Sequence, residues 1–306
     1  MEAIDQALFN LSPKIGVAVA VMVGFLVFAV ALDLTWNQFR RVLQNPKAPG
    51  IGLFAQYIIL PGVAFVVGLL MTATPSIALG LLLVACCPAG ALSNYLTGVA
   101  RGSVATSVSM TAISTLISVA VTPLLFAFWA AMNPGTRAVL AQIEIDLERV
   151  VMMLLIMLIV PVAAGMIIRA MRPGIADKIQ PWARRIAGIV FAVVVAILLL
   201  GNIKLLGGFA STALPPVLVT FAIAVVLGWC FARISGLVAV DRRAVTIEVA
   251  FQNVALAIGL AVVFFPALAG VAITSILWGV VHLTIGFAIA AVWMRMPIAD
   301  EPSATS

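Results

Sequence analysis

The chain has 306 residues, of which 64% are hydrophobic and only 9% are charged. A soluble domain is about 45–50% apolar and about 25% charged, so this composition excludes an ordinary soluble protein and predicts an all-α polytopic membrane protein. The apolar runs are continuous rather than alternating, which argues against a β-barrel. The net charge of +6 does not indicate nucleic-acid binding, because the positive residues form short clusters between apolar runs.

Nine spanning segments are predicted in the lipid bilayer, since a spanning helix needs roughly 20 apolar residues. In chain order they are 15–32, 51–70, 77–100, 104–131, 150–168, 186–200, 216–232, 245–265 and 268–294. We expect residues 1–14 to form an extracytoplasmic N-terminus and residues 296–306 to form a cytoplasmic tail.

The positive charges predict how the chain is oriented in the membrane. With nine spans, one set of loops carries every Lys and Arg residue except Lys14, Arg137, Arg149 and Lys204. Cytoplasmic loops are the ones enriched in Lys and Arg. This asymmetry predicts an N-terminus outside the cell membrane and a C-terminus in the cytoplasm.

Among the acidic residues, Glu248 alone lies within a span. A charged carboxylate at the centre of a membrane helix costs about 2.5–3.5 kcal/mol on insertion scales, and no basic residue lies at a span centre to pair with it. A bound cation or protonation would explain it; alternatively, the span ends earlier and Glu248 lies at the surface near Arg242 and Arg243. Gln252 lies one helical turn further on, followed by Asn253, and such oxygen groups suit a hard cation.

The third predicted span contains helix-breaking residues, Pro88 and Gly90, followed by Ser93 and Asn94. Irregular backbone at membrane depth is tolerated where protein buries it or where it lines a cavity. A broken helix there can direct its positive N-terminal end at an anion and its free carbonyls at a cation. No Pro or Gly occurs at 248–253, so the residues alone do not predict a break in the eighth span.

Further polar residues lie in the apolar spans. Four hydroxyl residues share one helical face of the fourth span: Ser107, Thr111, Ser114 and Ser118. They are either ion ligands or packing residues. Gln56 is an isolated amide in the second span, and His282 lies midway along the ninth, where a lone histidine is more often a packing residue than a ligand.

The order of the two polar stretches, around Ser93 and around Glu248, predicts an inverted repeat. They fall in the third and eighth spans, each the penultimate span of its half. Spans five to nine would form one five-helix unit, and spans one to four the same unit without its first helix. An odd number of helices inverts the second unit relative to the first, as in many secondary transporters, with the site at the repeat interface.

Three stretches resemble the signature regions of the bile acid:sodium symporter family. They are FAQYIILP (54–61), CCPAGALSNYLTGVARGSVATSVSMT (86–111) and IEVAFQNVALA (247–257). The resemblance is to the nine-span form, typified by the apical sodium-dependent bile acid transporter of animals, and we expect the chain to begin at the second helix of ten-span microbial relatives.

The resemblance implies a sodium-coupled symporter, not an enzyme, that imports an organic anion by alternating access. It also implies two discontinuous helices, the third and eighth spans, that cross at the sodium sites. The transporter domain, 15–295, would divide into a mobile core domain at 51–131 and 214–294 and a panel domain at 15–34 and 150–203. Family members carry bile salts, pantoate, pyruvate-like acids and other anions.

The resemblance further implies two sodium ions and a substrate contact region. The first sodium site maps onto Ser93, Asn94, Ser107, Thr111 and Glu248. The second maps onto Gln56, Glu248, Gln252 and the carbonyls of Val249 and Phe251. The substrate region maps onto Asn253, Ala91 and His282.

Several positions depart from the family pattern. Ala91 replaces a frequent hydroxyl, and Val254 and Ala255 replace a frequent Ser-Gly pair. Leu283 stands where a microbial pattern has asparagine, and Phe251 where relatives often have methionine. Apart from Phe251, whose role is that of a carbonyl ligand, these changes surround the substrate region, so they affect the identity of the anion rather than the sodium ligands.

Three other functions compete with this reading. A proton-coupled or arsenite-type carrier of the same superfamily would cycle Glu248 between charged and neutral forms. An intramembrane hydrolase would need Ser107 or Ser93 activated by His282, but no acid that orients the histidine can be identified. A passive channel would show flux without gradient coupling. Nothing in the sequence indicates an oligomeric state.

Overall fold

The protein is described from a computed structural model that covers residues 13–72, 74–142, 147–201 and 203–298. Most of the predicted N-terminal segment and residues 299–306 of the predicted tail lie outside these ranges. In chain order the helices are α1 (Pro13–Ala31), α2 (Trp36–Gln44), α3 (Lys47–Phe54), α4 (Leu60–Met71), α5 (Pro75–Cys86), α6 (Ala91–Val99), α7 (Val104–Met132), α8 (Pro134–Gln142), α9 (Leu147–Met171), α10 (Pro173–Gly201), α11 (Ile203–Ile234), α12 (Ala239–Ala250), α13 (Val254–Phe264) and α14 (Ala269–Arg295). A π-helical turn, Ala55–Ile59, joins α3 to α4.

Several of these helices are long and apolar enough to cross a membrane. By length and composition they are Lys47–Met71, Val104–Met132, Val150–Met171, Gly207–Ile234 and Ala269–Arg295. A sixth crossing is added if Val17–Ala31 and Trp36–Gln44, bent by 63° at their junction, count as one. These helices confirm the predicted all-α polytopic membrane protein.

Two predicted spans are divided into half-helices. The predicted span 77–100 consists of α5 and α6, separated by extended backbone from Cys87 to Gly90. The predicted span 245–265 consists of α12 and α13, separated at Phe251, Gln252 and Asn253. The first break agrees with the helix-breaking residues there, and the second is the break that only the family resemblance implied.

The two breaks cross and bond to each other. The backbone N–H of Asn253 donates to the carbonyl of Pro88 at 2.7 Å, and that of Gly90 donates to the carbonyl of Phe251 at 3.4 Å. Ala89 and Gln252 therefore form an isolated antiparallel bridge. Each break thus supplies partners for backbone groups that the other has freed, which a membrane interior requires.

The helices α10 and α11 are longer than the sixth and seventh predicted spans. The sequence predicts the sixth and seventh spans at 186–200 and 216–232, whereas α10 begins at Pro173 and α11 at Ile203. Pro215 and Pro216 lie inside α11. Proline is tolerated within membrane helices when neighbouring groups satisfy the freed backbone, so the pair does not mark the start of a helix here.

Three helices pack on one another away from the crossing. α1 packs on both α9 and α10, and their shared apolar cluster includes Leu32, Ala183 and Ala187. Arg169 of α9 donates from Nε to the carbonyl of Leu32 at 2.6 Å and pairs with Asp177 of α10. α1 also packs against α13, the half-helix that follows the second break.

Candidate functional site

Glu248 lies near the end of α12 and is fully buried. Its carboxylate makes no ion pair within the described part of the chain. Arg243 does not approach it as a partner: its guanidinium donates to the carbonyls of Ala100, at the end of α6, and Trp293, in α14, at 2.8 and 3.0 Å. The interpretation of Glu248 as a surface residue beside Arg242 and Arg243 is therefore wrong.

Hydroxyl and amide oxygens from two other helices surround this carboxylate. Glu248 Oε1 lies 2.5 Å from the hydroxyls of both Ser93 and Ser107, and its Oε2 lies 3.0 Å from Thr111 Oγ1. Asn94 Oδ1 lies 2.8 Å from the Ser107 hydroxyl and 3.1 Å from that of Thr111. We call these five side chains, which are those of the first predicted sodium site, the oxygen cluster.

Acceptor oxygens outnumber hydroxyl protons in the oxygen cluster. Ser93, Ser107 and Thr111 bring three protons, one each. These face four acceptor oxygens: two of Glu248, Oδ1 of Asn94 and the carbonyl of Gly90, which lies 2.7 Å from Ser93 Oγ. A hydroxyl can instead turn its lone pairs toward a cation, and an all-oxygen set with one carboxylate suits a hard cation.

The residues predicted for the second sodium site lie beside the crossing. Gln56 is fully buried, and its Nε2 lies 3.3 Å from Gln252 Oε1. Gln252 in turn donates from Nε2 to the carbonyl of Val249 at 2.7 Å. Gln56 Oε1 has no hydrogen-bond partner among the described residues. The structure therefore joins Gln56 to the break that contains Phe251 and Gln252, one turn after Glu248.

The three residues predicted to contact substrate line one cavity of about 490 Å³. Ala91 starts α6, Asn253 precedes α13, and His282 lies on α14, where its ring stacks on Phe251 with centroids 5.4 Å apart. Residues of α1 and α10 form the opposite wall, and most of the lining is apolar. The N-terminal ends of two half-helices, α6 and α13, thus border a largely apolar cavity.

A second cavity, of about 420 Å³, extends to Asn94 and Thr111 of the oxygen cluster. It shares Val30, Ala91 and Arg184 with the first cavity. The proposed ion ligands and the larger cavity are therefore connected through a common boundary.

The sequence model of the Sodium Bile acid symporter family matches residues 20–209. This range is more than half of the chain. The chain belongs to the sodium bile acid symporter family. Membership makes it a membrane transporter rather than an enzyme.

Relatives of this symporter family member occur in bacteria and plants. The sodium-dependent transporter YocS of Bacillus subtilis is 30% identical over 283 residues, which are 90% of this chain and 83% of the relative. The probable chloroplastic sodium/metabolite cotransporter BASS1 of Arabidopsis thaliana is 31% identical over 284 residues, which are 88% of this chain and 65% of the relative. The probable chloroplastic sodium/metabolite cotransporter BASS2 of Oryza sativa subsp. japonica is 30% identical over 234 residues, which are 76% of this chain and 54% of the relative. The chain spans between half and two thirds of the length of these two plant proteins.

The hydroxyl face of α7 in this symporter family member divides into two parts. All four hydroxyls are buried, as expected for one face. Ser107 and Thr111 reach Glu248, whereas Ser114 and Ser118 bond to carbonyls of their own helix, those of Thr111 and Thr115, at 3.1 and 2.8 Å. Two hydroxyls of this face therefore lie at the buried carboxylate, and the other two bond within α7.

The π-helical turn at Gln56 is a site feature that the sequence interpretation missed. The backbone N–H of Leu60 bonds to the carbonyl of Ala55, five residues back. Pro61 follows, and a proline inside a helix lacks an N–H and crowds the carbonyl four residues earlier, here that of Tyr57. Pro61 is therefore the residue from which the irregular turn could have been predicted. Single π-turns are frequent at functional sites.

Asn253 caps the half-helix α13, because its Oδ1 accepts the backbone N–H of Leu256 at 3.0 Å. Replacing an N-cap asparagine by alanine typically costs about 1 kcal/mol. We predict that Asn253→Ala lowers the free energy of unfolding in sodium-free buffer by about this amount, measured by denaturant or thermal unfolding in detergent. Asn253→Ser keeps a capping oxygen and should stay within about 0.5 kcal/mol of the unaltered protein; equal losses in both variants would contradict the capping role.

Proposed function

We propose that this protein is a sodium-coupled secondary active symporter that imports an organic anion. The observation that carries the proposal is the buried carboxylate of Glu248, which makes no ion pair in the described residues and is surrounded by oxygens of α6 and α7. A charge at membrane depth needs a compensating partner. Sodium bound among these oxygens balances the charge and uses the excess of acceptors.

Two sodium ions are proposed, with Glu248 shared between them. The first ion is bound by the oxygen cluster. The second is bound by Gln56, Gln252, Glu248 and the carbonyls of Val249 and Phe251. The unpartnered Gln56 Oε1 supports this second site, because a buried oxygen without a partner is costly and a cation would satisfy it. The shared carboxylate would make binding of each ion depend on the other.

The anion is proposed to lie in the 490 Å³ cavity, with Ala91, Asn253 and His282 around it. The half-helices α6 and α13 direct their N-terminal ends at this cavity, and helix N-termini attract anions. The apolar lining suits a hydrophobic body attached to the charged group. These features favour a carboxylate, either a bile salt or a smaller acid. The names of the plant relatives describe sodium/metabolite cotransporters.

Transport is proposed to occur by movement of a core domain, at 51–131 and 214–294, against a panel domain, at 15–34 and 150–203. The packing of α1 on α9 and α10 supports a separate panel unit, and the crossing helices would belong to the core. The larger cavity has walls from both groups of helices, so relative motion would change its access. In this scheme nine spans cross the cell membrane, with the N-terminus outside and the C-terminus in the cytoplasm.

Uptake into proteoliposomes tests the proposal. Radiolabelled cholate, pantoate and pyruvate are offered with an inward sodium gradient, with potassium in its place, or with an inward proton gradient alone. We expect sodium-dependent uptake of at least one anion, abolished by Glu248→Gln, because that variant removes the shared charge. Asp241→Asn, an equal charge change on the same helix, should retain uptake. Uptake that follows the proton gradient and ignores sodium would instead establish the proton-coupled carrier.

Substitutions on α7 test the oxygen cluster by itself. We predict that Ser107→Ala raises, about tenfold or more, the sodium concentration needed for half-maximal thermal stabilisation, because it removes one oxygen beside the carboxylate. Ser118→Ala is the matched control on the same face and should leave the sodium dependence unchanged, since the Ser118 hydroxyl donates to the carbonyl of Thr115 within α7 and has no bond to Glu248. Equal effects of the two substitutions would contradict the assignment of the first site.

A further inference from the structure

The larger cavity has one side chain with a permanent charge, Arg184 of α10, among the described residues that line it. Its other polar lining side chains are Gln252, Asn253 and His282. Arg184 also lines the second cavity, and both Arg184 and Ala91, the first residue of α6, belong to the residues that the two cavities share. A guanidinium and the positive end of a half-helix therefore face the same junction.

The guanidinium of Arg184 is paired with Asp33, which follows α1. Both side chains retain access to solvent, with 56% of Arg184 and 29% of Asp33 exposed. Exposed ion pairs contribute little net stability. Asp33 can therefore be exchanged for another carboxylate at small cost.

Arg169, on the neighbouring helix α9, shows the contrasting arrangement. Its side chain is only 16% exposed, and it bonds both to Asp177 and to the backbone carbonyl of Leu32. Within the described residues, Arg184 bonds through one nitrogen to Asp33 alone. A guanidinium carries five N–H donors in a fork that matches a carboxylate, so Arg184 retains donors for a second anion.

We propose that Arg184 determines specificity by binding the carboxylate of the transported anion, and that Asp33 is its resident counter-ion, which the substrate displaces. This inference rests on the proposed transport of an organic anion through the larger cavity. The carboxylate would lie at the junction of the two cavities, between Arg184 and the start of α6, with its apolar body in the larger cavity. After release, Asp33 pairs with Arg184 again, so the charge does not remain unpartnered.

The proposal assigns opposite effects to the two members of the ion pair. Asp33→Asn removes the competitor and should lower the dissociation constant of the anion about two- to fivefold. Arg184→Gln removes the receptor and should raise it at least about tenfold. The double variant should behave as Arg184→Gln does. A structural ion pair would instead make both single variants equally harmful.

Anion binding is measured by thermal stabilisation of the purified protein in saturating sodium, with pantoate, pyruvate, and cholate below its micelle concentration. The matched control is Arg185→Gln, the same charge change one residue along, since Arg185 stacks on Trp182 and lines neither cavity. It should bind the anions as the unaltered protein does. The neutral carboxamide of each anion should bind with the same affinity to Arg184→Gln and to the unaltered protein.

Sodium stabilisation measured without anion shows that each variant is folded. If an anion binds in a sodium-dependent manner but Asp33→Asn weakens it as Arg184→Gln does, the role of this pair is overturned and the proposed transport function stands. If none of the three anions binds to the sodium-stabilised protein, the proposed anion function is contradicted, and this inference with it.

Discussion

The crossing of two broken helices is the constraint on which the rest of the site depends. A broken helix at membrane depth would leave backbone N–H and C=O groups without partners. Here each break bonds to the other, because the N–H of Asn253 donates to the carbonyl of Pro88 and the N–H of Gly90 donates to the carbonyl of Phe251. The crossing also sets the register of the half-helices. It brings Ser93, the third residue of α6, against Glu248, near the end of α12. Displacing either break would separate the carboxylate from the hydroxyl of Ser93.

Two further elements complete the environment of the carboxylate. α7 contributes Ser107 and Thr111 from one side, and the π-helical turn contributes Gln56 next to Gln252. The two breaks that bring oxygens to Glu248 also place the N-terminal ends of α6 and α13 at the larger cavity. The proposed cation ligands and the helix ends proposed to attract the anion thus come from the same two breaks, which would give a physical basis for coupling sodium to an anion.

Much of the fold and of the candidate site can be predicted from the amino-acid sequence. Continuous apolar runs predict the membrane helices, and a carboxylate with no neighbouring cation marks Glu248. Pro88 and Gly90 predict the first break because they disfavour helix locally. The second break has no such signal: Phe251, Gln252 and Asn253 are ordinary residues, and the first break, distant in sequence, supplies hydrogen-bond partners for the carbonyl of Phe251 and the N–H of Asn253.

Other features were hidden because they depend on tertiary contacts. Arg184 belongs to a positive cluster of the kind that membrane orientation alone explains, and only the packing of α10 on α1 brings it to the boundary of the cavities.

Equilibrium binding of radioactive sodium to the purified protein, without organic anion and at constant ionic strength, tests the central claim most directly. The account predicts saturable binding that potassium does not replace and that Glu248→Gln removes or greatly weakens. Absence of saturable binding, or equal binding by the variant, would contradict it.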